Sequence, residues 1–293
     1  MKRKNSAGEI VFMGLNGVFM LLVVVVTLYP FLYVLFASIS DPVRMGQHMG
    51  FLLYPLGFTL GSYNRVLQNP MILGGYANTL LYVVTGTTLN LLLTSLGAYV
   101  LSRKGLMLRN LIMFLIVVTM FFSGGLIPFY LIVRSLGLTD KIWALILPVA
   151  ISSYNLIVMR TSFAQVPDSM EESAKIDGAS DWRILFQIYI PLSMAVMAVM
   201  ILFYSVGHWN SWFNAMIFMR SREKYPLQLI LREILIASTT ENMTTEAAAS
   251  DKEPIGETIK YATIIVATLP ILAVYPFLQR YFVQGVMIGA LKE

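Results

Sequence analysis

The chain has 293 residues, 57% of them hydrophobic and 13% charged, whereas a soluble domain carries about a quarter charged residues; this is the composition of a polytopic membrane protein. It has no cysteine and only two histidines, His48 and His208, which excludes a disulfide framework, thiol catalysis and a histidine-rich metal centre, so no catalytic or metal-ligating residue is assigned. The net charge of +5, from 21 basic and 16 acidic residues, suits basic cytoplasmic flanks better than a nucleic-acid surface.

Apolar runs of about 20 residues are needed to cross a bilayer core, and six reach that length: 11–39, 76–101, 108–133, 142–162, 184–206 and 258–280. The expected fold is all-α, one transmembrane domain over 1–293. The first run follows a basic Met-Lys-Arg-Lys start, is too long for a signal-peptide core and meets no small-residue cleavage site, so it reads as a retained span. Residues 40–75 carry Pro42, Pro55, Gly57, Gly61 and Pro70 and should form a compact irregular connection. Pro30, Pro148, Pro191, Pro270 and Pro276 fall within the spans; each removes a backbone donor and invites a kink. Pro191 is placed to set the angle between the fifth span and the polar segment before it.

That polar segment lies over 168–178. Asp168 follows Pro167 and stands three residues before Glu171, an Asp variant of the capping box that opens a helix. Asp168, Glu171 and Glu172 crowd the first turn, where they favour the positive end of the helix dipole. Gly178 should stop the helix, because glycine adopts the left-handed conformation at low steric cost, and a second helix should restart near Ser180. Between the fifth and sixth spans lies a long connection, 207–257. It opens Gly-His-Trp-Asn-Ser-Trp-Phe-Asn, continues as a short amphipathic helix from Tyr225 to Leu235, and ends in a polar stretch of low complexity, Ser238–Glu257. Aromatic rings beside amides suit carbohydrate, since sugar faces stack on rings while hydroxyls seek amide partners. Trp and Tyr at span ends are more often interface anchors, and that is the commoner role for Trp209 and Trp212 taken individually.

Orientation rests on Lys and Arg in the short connections. With the N-terminus cytoplasmic, the inner side holds Lys2, Arg3, Lys4, Arg103, Lys104, Arg109, Arg160, Lys175, Arg183, Arg280 and Lys292, against Arg44, Arg65, Arg134 and Lys141 outside when the long 207–257 loop is discounted. Trp143, Trp182, Trp209 and Trp212 all fall near span ends, as an aromatic belt would place them.

Glu172, Ala174, Gly178, Ile188 and Pro191 lie on a pattern of E-A-A, three residues, Gly, nine residues and I-x-L-P, which closely resembles the EAA signature of ABC-importer permeases; Ser173 replaces an Ala and Ile190 a Leu. The resemblance extends along the chain through Phe-Phe-Ser-Gly-Gly-Leu-Ile-Pro (121–128), Ser-Leu-Gly-Leu-Thr-Asp (135–140), Trp-Asn-Ser-Trp-Phe-Asn (209–214), Tyr-Pro-Leu-Gln-Leu (225–229) and Gln-Arg-Tyr-Phe-Val-Gln-Gly (279–285). It is that of the carbohydrate branch, similar to the maltose-type second permease and nearer to permeases for complex polysaccharides such as alginate or pectin fragments. It implies a type I importer permease fold in the bacterial cytoplasmic (inner) membrane, with both termini cytoplasmic. It implies a homologous second permease, two ATPase subunits and an extracytoplasmic solute-binding protein as partners. ATP and Mg would be bound by the partner ATPase, with no cofactor in this chain; the absence of any Gly-Lys pair, and so of a P-loop, agrees. By the same resemblance Glu171, Glu172, Ser173, Ala174, Asp177 and Gly178 form the ATPase-docking helix, and Trp209, Asn210, Trp212 and Asn214 lie near the substrate path or the binding protein. The alternative is a secondary transporter driven by an ion gradient, which calls for intramembrane ionisable residues; the central parts of the spans hold few or none. An intramembrane enzyme lacks the side chains to assemble a catalytic constellation.

Overall fold

The computed structural model of the chain describes residues 7–245, 258–273 and 276, and these are helical with a single isolated bridge, Ser40 to Phe58. The chain divides into two compact units, residues 1–69 with 233–269, and 70–232 with 270–293.

The first unit begins with one helix, Ala7–Ser38. Its 32 residues span about 48 Å at 1.5 Å per residue, and none of its most apolar stretch is buried within the chain. The helix runs on through Pro30. Only its last turns pack: Tyr33, Phe36 and Ala37 meet Met45, Leu52, Leu56 and Tyr261. The connection that follows is tied down by polar side chains. Asp41 caps the short helix Pro42–Gly46 by accepting from the amides of Val43 and Arg44, with Pro42 at the first helical position, where its missing N–H costs nothing. Ser40 Oγ accepts the Leu56 amide at 3.0 Å and Tyr29 the Leu52 amide at 3.1 Å. A second short helix, Gly61–Gln68, completes it.

The second unit is organised around the helix Pro70–Ser102. It starts at Pro70, earlier than the apolar run predicts, because proline opens a helix as readily as it breaks one. Its buried face carries Thr79, Thr87, Asn90, Thr94 and Ser95 at helical spacing. Between helices in a membrane such small polar groups allow close approach and bond across. Thr94 pairs with Tyr204 at 2.7 Å, Thr87 with Ser205 at 3.3 Å, and Ser95 points at the sulfur of Met159. Toward the end of the helix the packing turns apolar, with Ala98, Tyr99, Met159, Phe163, Ile184, Leu185 and Met200 in one buried cluster.

Among the described residues two single helices, Gly8–Ser38 and Pro70–Ser102, are long and apolar enough to cross a membrane. The third, fourth and fifth predicted spans are each broken. Arg109–Phe121 and Leu126–Ser135 meet at 114°, Trp143–Val149 and Ser153–Phe163 at 52°, and Asp181–Leu192 and Met194–Trp209 at 89°. The sequence explains each bend. Ser-Gly-Gly separates the first pair, with Gly125 at φ 82°. Pro148 sits in the 3-10 turn of the second. The third break follows a π-helical stretch, Leu185–Tyr189, and Pro191. The sixth run appears as Thr258–Ala273; its predicted remainder, apart from Pro276, lies outside the described residues. The amphipathic helix predicted to end at Leu235 runs instead from Leu227 to Thr245, into the polar stretch, whose residues 246–257 lie outside the described residues.

Candidate functional site

The polar segment forms a helix over Asp168–Ile176. The capping box predicted for its start is not formed. Pro167, at φ −60° and ψ 134°, takes the N-cap position without a side-chain bond, and Asp168 becomes the first helical residue. Its carboxylate goes to Lys104 Nζ at 2.5 Å, and that of Glu171 turns inward to charged partners, because charge-assisted bonds outcompete those to neutral backbone amides. At the other end Asp177 is the C-cap and Gly178 stands at φ 75°. The Gly178 amide reaches Lys175 O at 3.0 Å and the Ala179 amide reaches Ala174 O at 2.9 Å, the paired bonds of a Schellman motif. Ser180 then caps the next helix through the Arg183 amide.

Glu171 fixes this helix to the body of the chain. Its Oε1 accepts from Lys175 at 2.6 Å and from Arg103 at 2.9 Å, and its Oε2 from the Tyr189 hydroxyl at 2.8 Å. Burial alone would raise the carboxyl, which is 14% exposed; Lys175, Tyr189 and Arg103 together hold it below the usual carboxylate range. Arg103 also binds Asp181 at 2.7 Å, donates to the Tyr99 hydroxyl and stacks over the Tyr99 ring. Tyr99 and Tyr189 meet edge to face at 4.9 Å between centroids. One arginine at the end of the Pro70–Ser102 helix thus ties together the first turn of the polar helix and the start of the fifth apolar segment.

The predicted set divides by face. Glu171 and Ala174 point inward, the latter packed against the apolar cluster. Glu172, Ser173, Asp177 and Gly178 are exposed, and Ile176 between them is 86% exposed. Sequence reasoning missed Tyr99, Arg103 and Tyr189; the signal within reach was a basic pair, Arg103-Lys104, closing an apolar run.

The second predicted set is only partly assembled. A cleft of about 400 Å³ is lined by Asn155, Tyr204, His208, Asn210, Trp212 and Asn214, among others. Trp209 is absent from this wall: it is 6% exposed and packs edge to face on Tyr76, one helical step from the cleft-facing His208. Behind the cleft, His208 Nε2 donates to Asn90 Oδ1 at 2.6 Å, and the Asn90 amide donates to the carbonyls of Val149 and Ala150 at 2.7 and 2.8 Å. Trp212 carries the Arg232 guanidinium on its ring at 4.5 Å.

Asp140, the last residue of Ser-Leu-Gly-Leu-Thr-Asp, organises the connection after this cleft. Its Oδ1 accepts the amides of Arg220 and Ser221 at 3.1 and 3.0 Å, and its Oδ2 accepts from the Ser221 hydroxyl at 2.7 Å and from Lys224 Nζ at 2.8 Å. Lys224, Ser221 and Arg220 hold its carboxyl well below the usual carboxylate range. From the other side Asn78 and Tyr82 donate to the carbonyls of Glu223 and Lys224 at 2.6 and 2.7 Å.

Comparison with known proteins agrees with this architecture. The chain is 41% identical over 274 residues to the polygalacturonan/rhamnogalacturonan transport system permease protein YtcP of Bacillus subtilis (strain 168), covering 94% of this chain and 96% of that one. It is likewise 41% identical over 288 residues to protein LplC of the same organism, covering 98% and 97%. Among solved structures, a chain of a bacterial ABC transporter involved in the import of the acidic polysaccharide alginate superposes with a TM-score of 0.87 at 33% identity, covering 96% of this chain and all of that one. The family profile of the binding-protein-dependent transport system inner membrane component matches residues 92–288. The chain belongs to that family and is an ABC-transporter permease.

Proposed function

We propose that this chain is one permease subunit of an ATP-driven importer for oligo- or polysaccharides, with a uronate-containing cargo, and that the helix Asp168–Ile176 couples it to a separate ATPase subunit. The division of that helix carries the reading. Glu171 and Ala174 hold it to the permease, so it moves as a rigid lever. Glu172, Ser173, Ile176 and Asp177 are left outward, so this face of the helix is free to meet a partner while the other is fixed to the permease. The cargo class is supported by the polygalacturonan/rhamnogalacturonan and alginate named for proteins 41% and 33% identical to this chain. In this reading the bent helix pairs and the Thr258–Ala273 helix complete six crossings with both termini cytoplasmic. A homologous permease, two ATPase subunits and an extracytoplasmic binding protein complete the transporter. The cleft bearing Asn210, Trp212 and Asn214 faces the outer mouth, and the 207–257 connection meets the binding protein.

Glu172→Ala tests the coupling. Glu172 is taken to pair with a basic residue of the ATPase groove, and removing one member of a largely desolvated pair costs about 2–5 kcal/mol. The variant should lose ATPase retention or uncouple hydrolysis from uptake; wild-type values of both would count against the pairing.

A further inference from the structure

A second cleft, of about 710 Å³, opens at the root of the polar helix. Five cationic side chains line it, Arg103, Lys104, Arg109, Arg160 and Lys175. Three carboxylates line it as well: Asp168 is engaged by Lys104, Glu171 by Lys175 and Arg103, and Glu172, at its rim, is exposed. Arg109 and Arg160 are half-buried and have no carboxylate partner among the described residues. Each uses one N–H on the carbonyls at the end of the Pro70–Ser102 helix, Arg160 Nε on Leu101 O at 3.2 Å and Arg109 Nη1 on Arg103 O at 3.5 Å. A guanidinium has five N–H donors, so most of theirs remain. Arg103 Nε, in the same wall, is buried with no hydrogen-bond partner. Two incompletely paired guanidinium groups at a shared cavity match the oxygens of a phosphate, which arginine binds through parallel N–H bonds.

Apolar groups accompany the charges. Val100, Leu106, Phe163 and Val166 line the same cleft, and Met107 and Leu108, beside it in the chain, are 81% and 61% exposed. A free inorganic anion has no use for such neighbours, whereas acyl chains do. Basic pockets between helices at the membrane surface take phospholipid head groups in this way. We propose that this cleft binds a phosphate group, presented by the head group of an anionic phospholipid, and so seats the base of the polar helix on the membrane surface.

The test uses the full-length chain in nanodiscs of phosphatidylcholine with or without phosphatidylglycerol, and counts the lipids retained by native mass spectrometry. Each basic residue near an anionic surface is worth enough to change binding about fivefold. Wild-type protein should retain phosphatidylglycerol over phosphatidylcholine. Arg109→Gln and Arg160→Gln should each lower that retention about fivefold, and Arg109→Lys should restore part of it. Arg109→Gln is the safer variant for folding, since among the described residues Arg109 makes a single hydrogen bond, at 3.5 Å; unchanged thermal unfolding in phosphatidylcholine alone checks that it folds. Equal retention of both lipids by wild type, or unchanged selectivity in both glutamine variants, overturns the proposal. Displacement of phosphatidylglycerol by millimolar inorganic phosphate, with phosphate protecting the chain equally well without it, would overturn the lipid assignment in favour of free phosphate.

Discussion

Tyr189 donates its hydroxyl hydrogen to Glu171 Oε2 across 2.8 Å, joining the first turn of the polar helix to the π-helical stretch that opens the fifth apolar segment. A bond at this place passes any displacement of the helix directly to that segment. Tyr189→Phe keeps the ring against Tyr99 and Phe163 and removes only the donor. A hydrogen bond to a charged group contributes about 1.5–3 kcal/mol, so amide exchange over 168–176 should speed up about tenfold or more, with 194–209 unaffected. Unaltered exchange in the polar helix would show that Arg103 and Lys175 suffice to hold it.

Gly178 stands in open space, so a substitution there is opposed by its backbone conformation, φ 75°, and not by neighbours. A left-handed conformation costs about 1–2 kcal/mol for an ordinary residue and less for asparagine. Thermal unfolding in detergent should therefore rank Gly178 above Gly178→Asn, with Gly178→Ala and Gly178→Val below both. Equal midpoints across the series would mean that the Schellman turn is not maintained.

Gly86 has no room for a methyl group: a Cβ would lie 2.4 Å from His208 Nε2. Gly86→Ala should displace the imidazole, break its bond to Asn90 and cost about 1–3 kcal/mol, as overpacking typically does. Adding His208→Ala to it should recover part of the loss in unfolding midpoint. A double variant no more stable than Gly86→Ala alone would place the strain elsewhere.

The Asp140 clamp carries a pH signature. Its carboxyl is held below the ordinary range in the folded chain, while in an unfolded chain an aspartate takes up its proton near pH 3.9, a value of about that size being usual. The unfolded state thus binds more protons in that window. The clamp's contribution is complete above about pH 5 and falls as the pH drops toward the depressed folded value. Exchange of the 219–224 amides should be constant, after correction for intrinsic rates, from about pH 8 to pH 5 and rise only in stronger acid. Asp140→Asn should show fast exchange at every pH; protection equal to wild type at neutral pH would refute the clamp.

What was legible in the sequence was local. The turn at Gly178, the restart at Ser180 and the apolar runs each follow from residues a few positions apart. The capping box at Asp168 does not form because the better partner of that carboxylate, Lys104, lies far away in sequence, in the turn after the Pro70–Ser102 helix. Pro148 and Pro191 signal kinks, and the chain bends close to both; the bend at Ser-Gly-Gly carries no such signal, since hydropathy reports length and not direction. Trp209 and Trp212 look alike in sequence because both are aromatic near asparagine, yet Trp209 ends the helix Met194–Trp209 while Trp212 stands in the turn before Phe213–Phe218. The Arg103 hub joins residues 78 positions apart, a pairing that only the packing of three helices creates.

If the outward face of Asp168–Ile176 meets an ATPase subunit, as proposed, the absence of native cysteine allows a clean measurement of that contact. Ile176→Cys and Ser173→Cys, made singly and treated with a short bifunctional thiol reagent in membranes containing the whole transporter, should each cross-link to the ATPase. Glu171→Cys, facing inward, and Asn210→Cys, at the other cleft, should not. Cross-linking from Asn210→Cys with none from Ile176→Cys or Ser173→Cys would contradict the claim.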